Sequence, residues 1–231
     1  MLKTIIAYSK ISKESHRHPL EKLCLCIFPM IILGFVHKPL PLILNIFIFL
    51  ILHIKANNPK DIVLKFNIGI LSFSLLSSIT LLFVYNFNYI LVIILKGVSG
   101  GMCISYLTLT TPLDHILSLV SKITPLQDIC DIAKSMELYI LLINDEASNI
   151  YNAMSCRHGF HSFKSKIKNM SKLAGLLFLN TLKRWPEIQD GLYNRCYSGR
   201  HYYAQCTSKL SYKFMFMMFM YNSILLALCF I

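Results

Sequence analysis

Two long apolar runs, Ile62–Tyr85 and Tyr89–Leu109, constrain this chain more than any other feature. A helix needs about 20 such residues to cross a hydrocarbon core of about 30 Å, and both runs suffice. A third, Tyr212–Ile231, is rich in Met and Phe. Backbone groups in hydrocarbon must bond within their own segment, so these runs point to helices. Two shorter runs, Leu23–Val36 (extended at its start by Pro19 to Lys22) and Leu40–Ile54, are joined by His37-Lys38-Pro39 and read as a tight hairpin. The chain is 55% hydrophobic with a mean hydropathy of +0.55, well above an ordinary soluble domain. The predicted fold is all-α: a polytopic helical membrane protein of five spans. Residues 1–112 form an N-terminal membrane domain of about four spans, 113–211 a long cytoplasmic helical region, and 212–231 a C-terminal transmembrane helix.

Charge sets the expected orientation. Lys3, Lys10, Lys13, Arg17 and Lys22 precede the first span, and Lys55, Lys60 and Lys65 surround the loop between the second and third. Most other cations lie between Leu113 and Ser211, while the turns near Lys38 and Asn86 are almost uncharged. The positive-inside rule then puts the N-terminus and the long region in the cytoplasm and the C-terminus outside. The formal net charge of +12 belongs to loops beside apolar runs, which indicates a lipid bilayer as partner and no nucleic acid. The N-terminus lacks a small-residue cleavage pattern, so no signal peptide is expected there. Lys96, followed by Gly97, Gly100 and Gly101, is the one cation well inside a predicted span. It reads as a snorkelling lysine beside a close helix contact, or as an intramembrane charge.

Several chemistries are excluded. With 11 acidic residues, paired carboxylates for acid–base catalysis are not expected. There is no Gly-x-x-x-x-Gly-Lys-Ser/Thr loop for ATP and no His-Glu-x-x-His zinc motif. The eight cysteines form no Cys-x-x-Cys pair. The pairs His16/His18 and His158/His161 read as surface histidines, so neither a metal site nor a cofactor is assigned.

The polar half is predicted to be helical. Thr111-Pro112-Leu113-Asp114 and Thr124-Pro125-Leu126-Gln127 look like helix starts, with threonine capping and proline in the first turn. After the second, Ile129, Ile132, Ala133, Met136, Ile140, Ile143, Ala147, Ile150 and Ala153 recur at three and four, one stripe of about seven turns. Gly159 is placed to stop this helix. A second helix runs from about Ser162 through Arg184, with Pro186 expected to kink or restart it. Its basic start, Lys164, Lys166, Lys168 and Lys172, suits a solvated face or an anionic contact. Each helix delivers an arginine near its end: Arg157 in Ala153-Met154-Ser155-Cys156-Arg157-His158-Gly159, and Arg195 in Gly191-Leu192-Tyr193-Asn194-Arg195-Cys196-Tyr197-Ser198-Gly199.

Together these features resemble the transmembrane, or T, component of energy-coupling factor (ECF) transporters, of the CbiQ cobalt-transport type. The resemblance rests on His18-Pro19-Leu20-Glu21-Lys22-Leu23, Leu109-Thr110-Thr111-Pro112, Met136-Glu137-Leu138-Tyr139-Ile140, Glu146-Ala147 and the two arginine motifs, in order. It implies a non-enzymatic subunit in the cell membrane. Its partners would be cytoplasmic ABC-type ATPase subunits and a substrate-binding (S or CbiM-like) membrane subunit, with cobalt ion uptake as the task. Arg157 and Arg195 would be pegs entering grooves in the ATPases, with Ala153, Gly159 and Gly199 shaping the helix ends. The family's second motif reads Ala-x-x-x-Arg-Gly; here Gly191 takes the alanine place and Cys196 the glycine place. Arg184 and Lys168, outside the motifs, are expected to matter less. Two other readings are a T component of a vitamin importer and a lipid-modifying membrane enzyme. The second conflicts with the absence of a nucleophile–base constellation.

Overall fold

The computed structural model describes residues 2–81, 86–197, 199–201, 203 and 210–230. The last residues of the third predicted span, 82–85, and Ser198 and Cys206 lie outside the described residues. All regular elements among the described residues are helical: α1 (Leu2–Ile11), α2 (Pro19–Gly34), α3 (Pro39–Lys55), α4 (Lys60–Leu81), α5 (Phe87–Thr110), α6 (Leu113–Val120), α7 (Gln127–Cys156), α8 (Phe163–Tyr193) and α9 (Tyr212–Phe230). The chain divides into two compact units, Met1–Leu119 with Ala204–Ile231, and Val120–Tyr203.

In the first unit, α4, α5 and α9 are long and apolar enough to cross a membrane. The hairpin helices α2 and α3, of 16 and 17 residues, reach only about 24–26 Å at 1.5 Å per residue. Their connection falls short of a full crossing, and Lys96 explains how it is held. Its Nζ donates 2.7 Å to the carbonyl of Gly34, the last residue of α2. That carbonyl has no partner within its own helix and lies at the negative end of the helix dipole. The cation inside a predicted span thus meets backbone at the hairpin tip.

Helix α5 packs against α1, α2, α3 and α4, and α9 against α2 and α3. The contact with α4 uses Gly97 and Gly101. A Cβ at Gly97 would lie 3.2 Å from Ser74 Cβ, and one at Gly101 2.7 Å from Ile70 Cδ1. Small residues one turn apart let two backbones approach closely, as the glycines between Lys96 and Cys103 suggested. Two apolar clusters fill the bundle, one around Leu25, Phe49, Cys103 and Tyr106, the other around Leu33, Leu42, Val92 and Leu225.

A buried polar cluster joins three helices. Asn45, fully buried in α3, donates to Ser99 Oγ (2.6 Å) and Cys103 Sγ (3.5 Å) of α5 and accepts from the Tyr221 hydroxyl of α9. Near the end of α3, His53 Nδ1 accepts from Asn58 Nδ2 (2.9 Å), which leaves Nε2 to donate toward Ser105 Oγ (3.1 Å) and the Met102 carbonyl (3.3 Å). In hydrocarbon such groups have no water to fall back on, so satisfied bonds between helices fix which helices pair.

The second unit is built mainly on α7 and α8, of 30 and 31 residues. Of the kink or restart expected at Pro186, the restart does not occur: α8 runs through it as one helix. Proline removes one amide donor and crowds the preceding turn, yet the helical residues on both sides continue. The threonine caps also differ from expectation. Thr111 Oγ1 is buried and makes no hydrogen bond among the described residues, and Thr124 opens a short 3-10 turn that leads into α7. The unit buries little. Cys130 is the one buried residue of α7 and α8 has none, while Ile129, Ile132, Met136, Phe178, Leu182 and Trp185 stay exposed.

Candidate functional site

Both arginines occupy the same place in the same kind of helix end. After α7, the Arg157 amide donates to the Met154 carbonyl (3.2 Å), His158 to Ser155 (3.0 Å) and Gly159 back to Met154 (3.1 Å). After α8, the Arg195 amide donates to Leu192 (3.1 Å), Cys196 to Tyr193 (2.9 Å) and Tyr197 back to Leu192 (3.1 Å). The residue following each arginine is left-handed, His158 at φ +54° and Cys196 at φ +55°. Such a residue turns the chain sharply and lets later amides serve the last carbonyls of the helix. The residue four before each arginine is small and exposed, Ala153 in α7 and Gly191 in α8. It lies on the arginine's own face one turn earlier, so nothing bulky flanks the side chain there.

The three predicted helix-shaping residues do different things. The backbone of Gly159 is not left-handed; that conformation falls to His158. Gly159 is needed for room, because a Cβ there would lie 2.8 Å from the Met154 carbonyl oxygen. Its own carbonyl accepts from Ser165 Oγ (2.6 Å) and Asn169 Nδ2 (2.5 Å), which ties the turn to the start of α8. Gly199, at φ +87° and with no atom of the described residues within 4 Å of an added Cβ, is needed for conformation instead. Ala153 supplies the small neighbour.

Arg157 and Arg195 are exposed, and neither makes a hydrogen bond or ion pair among the described residues. Each guanidinium is permanently charged, offers five donors in a planar fork, and stands at the negative end of a helix dipole. Such a side chain can engage carboxylates or helix-end carbonyls of another surface.

The turns are held by contacts that spacing alone does not reveal. Glu146 of α7 accepts from Arg184 Nη2 (2.7 Å) and from Asn180 Nδ2 (2.9 Å) of α8. Tyr139 stacks on Trp185 with centroids 6.0 Å apart, and Tyr151 on Phe160 at 4.7 Å. Beyond Arg195, Asp131 Oδ1 accepts from the His201 amide (3.1 Å) and the Tyr203 hydroxyl (2.6 Å), which returns the chain to the start of α7. Burial and this bond to a carboxylate push the Tyr203 phenol well above its usual range. Glu146 was visible in the sequence, but its partners 34 and 38 positions away were not.

In the first unit, two segments singled out in the sequence meet. His18 Nδ1 accepts from the Leu20 amide (3.3 Å) and caps α2, with Pro19 in the first turn. Lys22, buried, donates 2.8 Å to the Thr110 carbonyl at the end of α5. Glu21 Oε1 accepts from the Ser211 amide (2.5 Å) just before α9. These residues fasten the start of α2 to the end of α5 and to the start of α9. Nearby, burial and then the Lys22 charge hold the His115 imidazole below its usual range. No group of three or more His, Cys, Asp or Glu side chains comes together among the described residues.

Residues 11–204 match the family model described as CbiQ, cobalt transport protein. One relative, described as a fused cobalt transport protein CbiMQ from Methanocorpusculum labreanum, is 33% identical over 108 residues, 46% of this chain. The match spans only 18% of that longer protein. An uncharacterized protein of Methanocaldococcus jannaschii is 22% identical over 212 residues, covering 83% of this chain and 79% of its own length. The family is one of transport proteins, not of enzymes. With helices fit to span a membrane and a family match over most of its length, the chain belongs to the CbiQ cobalt transport protein family.

Proposed function

We propose that this chain is the transmembrane coupling subunit of an ECF-type ABC importer in the plasma membrane. It links cytoplasmic ABC-type ATPases to a substrate-binding, CbiM-like membrane subunit for cobalt ion uptake. The observation that carries this reading is the pair of matched helix-end turns, each presenting an exposed arginine with no partner among the described residues. Two equivalent pegs suit two equivalent sockets, as an ATPase dimer provides. The fused relative, whose name joins CbiM and CbiQ, supports a CbiM-like neighbour. The charge distribution supports five spans with Leu113–Ser211 in the cytoplasm. The chain contains no phosphate-binding loop, so hydrolysis is assigned to the partner.

The test is the double substitution Arg157→Ala and Arg195→Ala in the native membrane. Truncating one side of a desolvated charge-assisted contact costs about 2–5 kcal/mol. The double variant should reach the membrane at normal levels yet lose ATP-driven cobalt uptake and most co-purification of the ATPases. Lysine should rescue poorly, because an ammonium cannot reproduce the planar fork. Transport at the unmodified rate with equal expression would overturn the coupling role.

A further inference from the structure

A cavity of about 440 Å³ opens in the first unit beside the junction of α2, α3, α5 and α9. Its charged lining comprises three cations, Arg17, Lys55 and Lys213, and two carboxylates, Glu14 and Glu21. Both carboxylates are engaged. Glu14 Oε2 lies 2.6 Å from Arg17 Nε, and Glu21 Oε1 takes the Ser211 amide at 2.5 Å. Arg17 also lies over the Phe214 ring, 4.8 Å from its centroid. Lys55, at the end of α3, and Lys213, at the start of α9, are exposed and make no ion pair among the described residues. Buried Lys22 adds positive charge nearby. This surplus disfavours a divalent cation and favours an anion.

The rest of the lining says which anion. Leu52, Phe214 and Met217 form an apolar wall. On α9 that wall continues at helical spacing from Met217 into exposed Met220 and Ile224, the kind of surface a membrane helix turns to lipid. A free phosphate would leave this wall unused. A phospholipid uses both halves, with its phosphate between Lys55 and Lys213 and an acyl chain along α9. Basic pockets between transmembrane helices on the cytoplasmic side suit acidic headgroups. We propose that this cavity binds the headgroup of an anionic phospholipid from the cytoplasmic leaflet. The site rests on the membrane placement of the first unit and not on the coupling role of the arginines.

The experiment is native mass spectrometry of the full chain in mild detergent, titrated separately with phosphatidylglycerol, phosphatidylcholine and inorganic phosphate. Three proteins are compared: the unmodified chain, Lys55→Gln with Lys213→Gln, and Lys164→Gln with Lys166→Gln. The last pair removes equal charge from α8 of the second unit, whose residues do not line the cavity. Each lysine facing an anionic headgroup is worth roughly fivefold in affinity, so the first pair should weaken phosphatidylglycerol binding about 25-fold. The α8 pair should leave it within about twofold, and phosphatidylcholine should bind the unmodified chain more weakly. Equal losses from both pairs, or no preference for phosphatidylglycerol, would overturn the site. Competition by inorganic phosphate at matched concentration would overturn the lipid as its source. Both variants keep the buried core intact, and matching melting midpoints would establish that they are folded.

Discussion

At the residue scale, the helix ends show why a glycine suits the position after each arginine. Here His158 and Cys196 hold left-handed conformations that L-residues adopt at a cost of about 1–2 kcal/mol. Glycine removes that cost but adds freedom to the unfolded chain. The balance predicts that His158→Gly and Cys196→Gly each stabilise the second unit by about 0.5–1 kcal/mol. A higher thermal midpoint in mild detergent checks this, and a lower one would show that the native side chains make contacts that outweigh the strain. Gly159→Ala should move the other way, since its Cβ would press on the Met154 carbonyl at 2.8 Å. The placement of Arg157 and Arg195 at helix ends was legible, because charge beside glycine after a helical stripe stands out in a string of letters. Which neighbour would turn left-handed was not, because His and Cys do not announce that conformation and Gly159, which does, is used for space.

At the element scale, periodicity and run length gave the helices, but not the contacts between them. The α7 stripe was readable from residues three and four apart. The Glu146 tie to Arg184 and Asn180 was not, since it joins separate helices. Arg184, read from sequence as peripheral, thereby gains a part in holding α7 against α8. A double-mutant cycle with Glu146→Gln and Arg184→Gln should give a coupling of about 0.5–1 kcal/mol, kept small because the Arg184 side chain is 44% exposed. Additive effects on the melting of this unit would reduce the ion pair to a surface coincidence. The glycine seam of α5 offers a sharper contrast. Gly97→Leu should lower the yield of folded protein, because Ser74 lies 3.2 Å from the new Cβ, whereas Gly100 has nothing within 4 Å. Gly100→Ala should be neutral or slightly stabilising, gaining up to about 1 kcal/mol of helix propensity. If both substitutions behave alike, the seam is not a packing interface. Pro186 marks the limit of local reasoning: it should break a helix on propensity alone, yet α8 passes through it.

At the scale of the whole molecule, the two units bury their side chains very differently. The first encloses Asn45, Phe49, Cys103 and Leu225 completely. The second leaves one face of each long helix uncovered, from Ile129 to Ile140 on α7 and from Ile167 to Trp185 on α8. Composition showed that the chain was greasy, but only the folded arrangement separates apolar surface inside the bundle from apolar surface awaiting a partner. Exposed apolar patches of this extent on paired helices mark interaction surfaces. Helices with few buried contacts also open locally at low free-energy cost. Amide hydrogen exchange of the isolated chain in detergent should therefore be fast along residues 129–140 and 167–185 and slow in the middle of α5. Adding the ABC-type ATPases proposed as partners should slow exchange in the last turns of α7 and α8, around Arg157 and Arg195, and leave α5 unchanged. Unaltered exchange at both arginine turns, with the ATPases demonstrably bound, would place the contact elsewhere and remove the pegs from the coupling role.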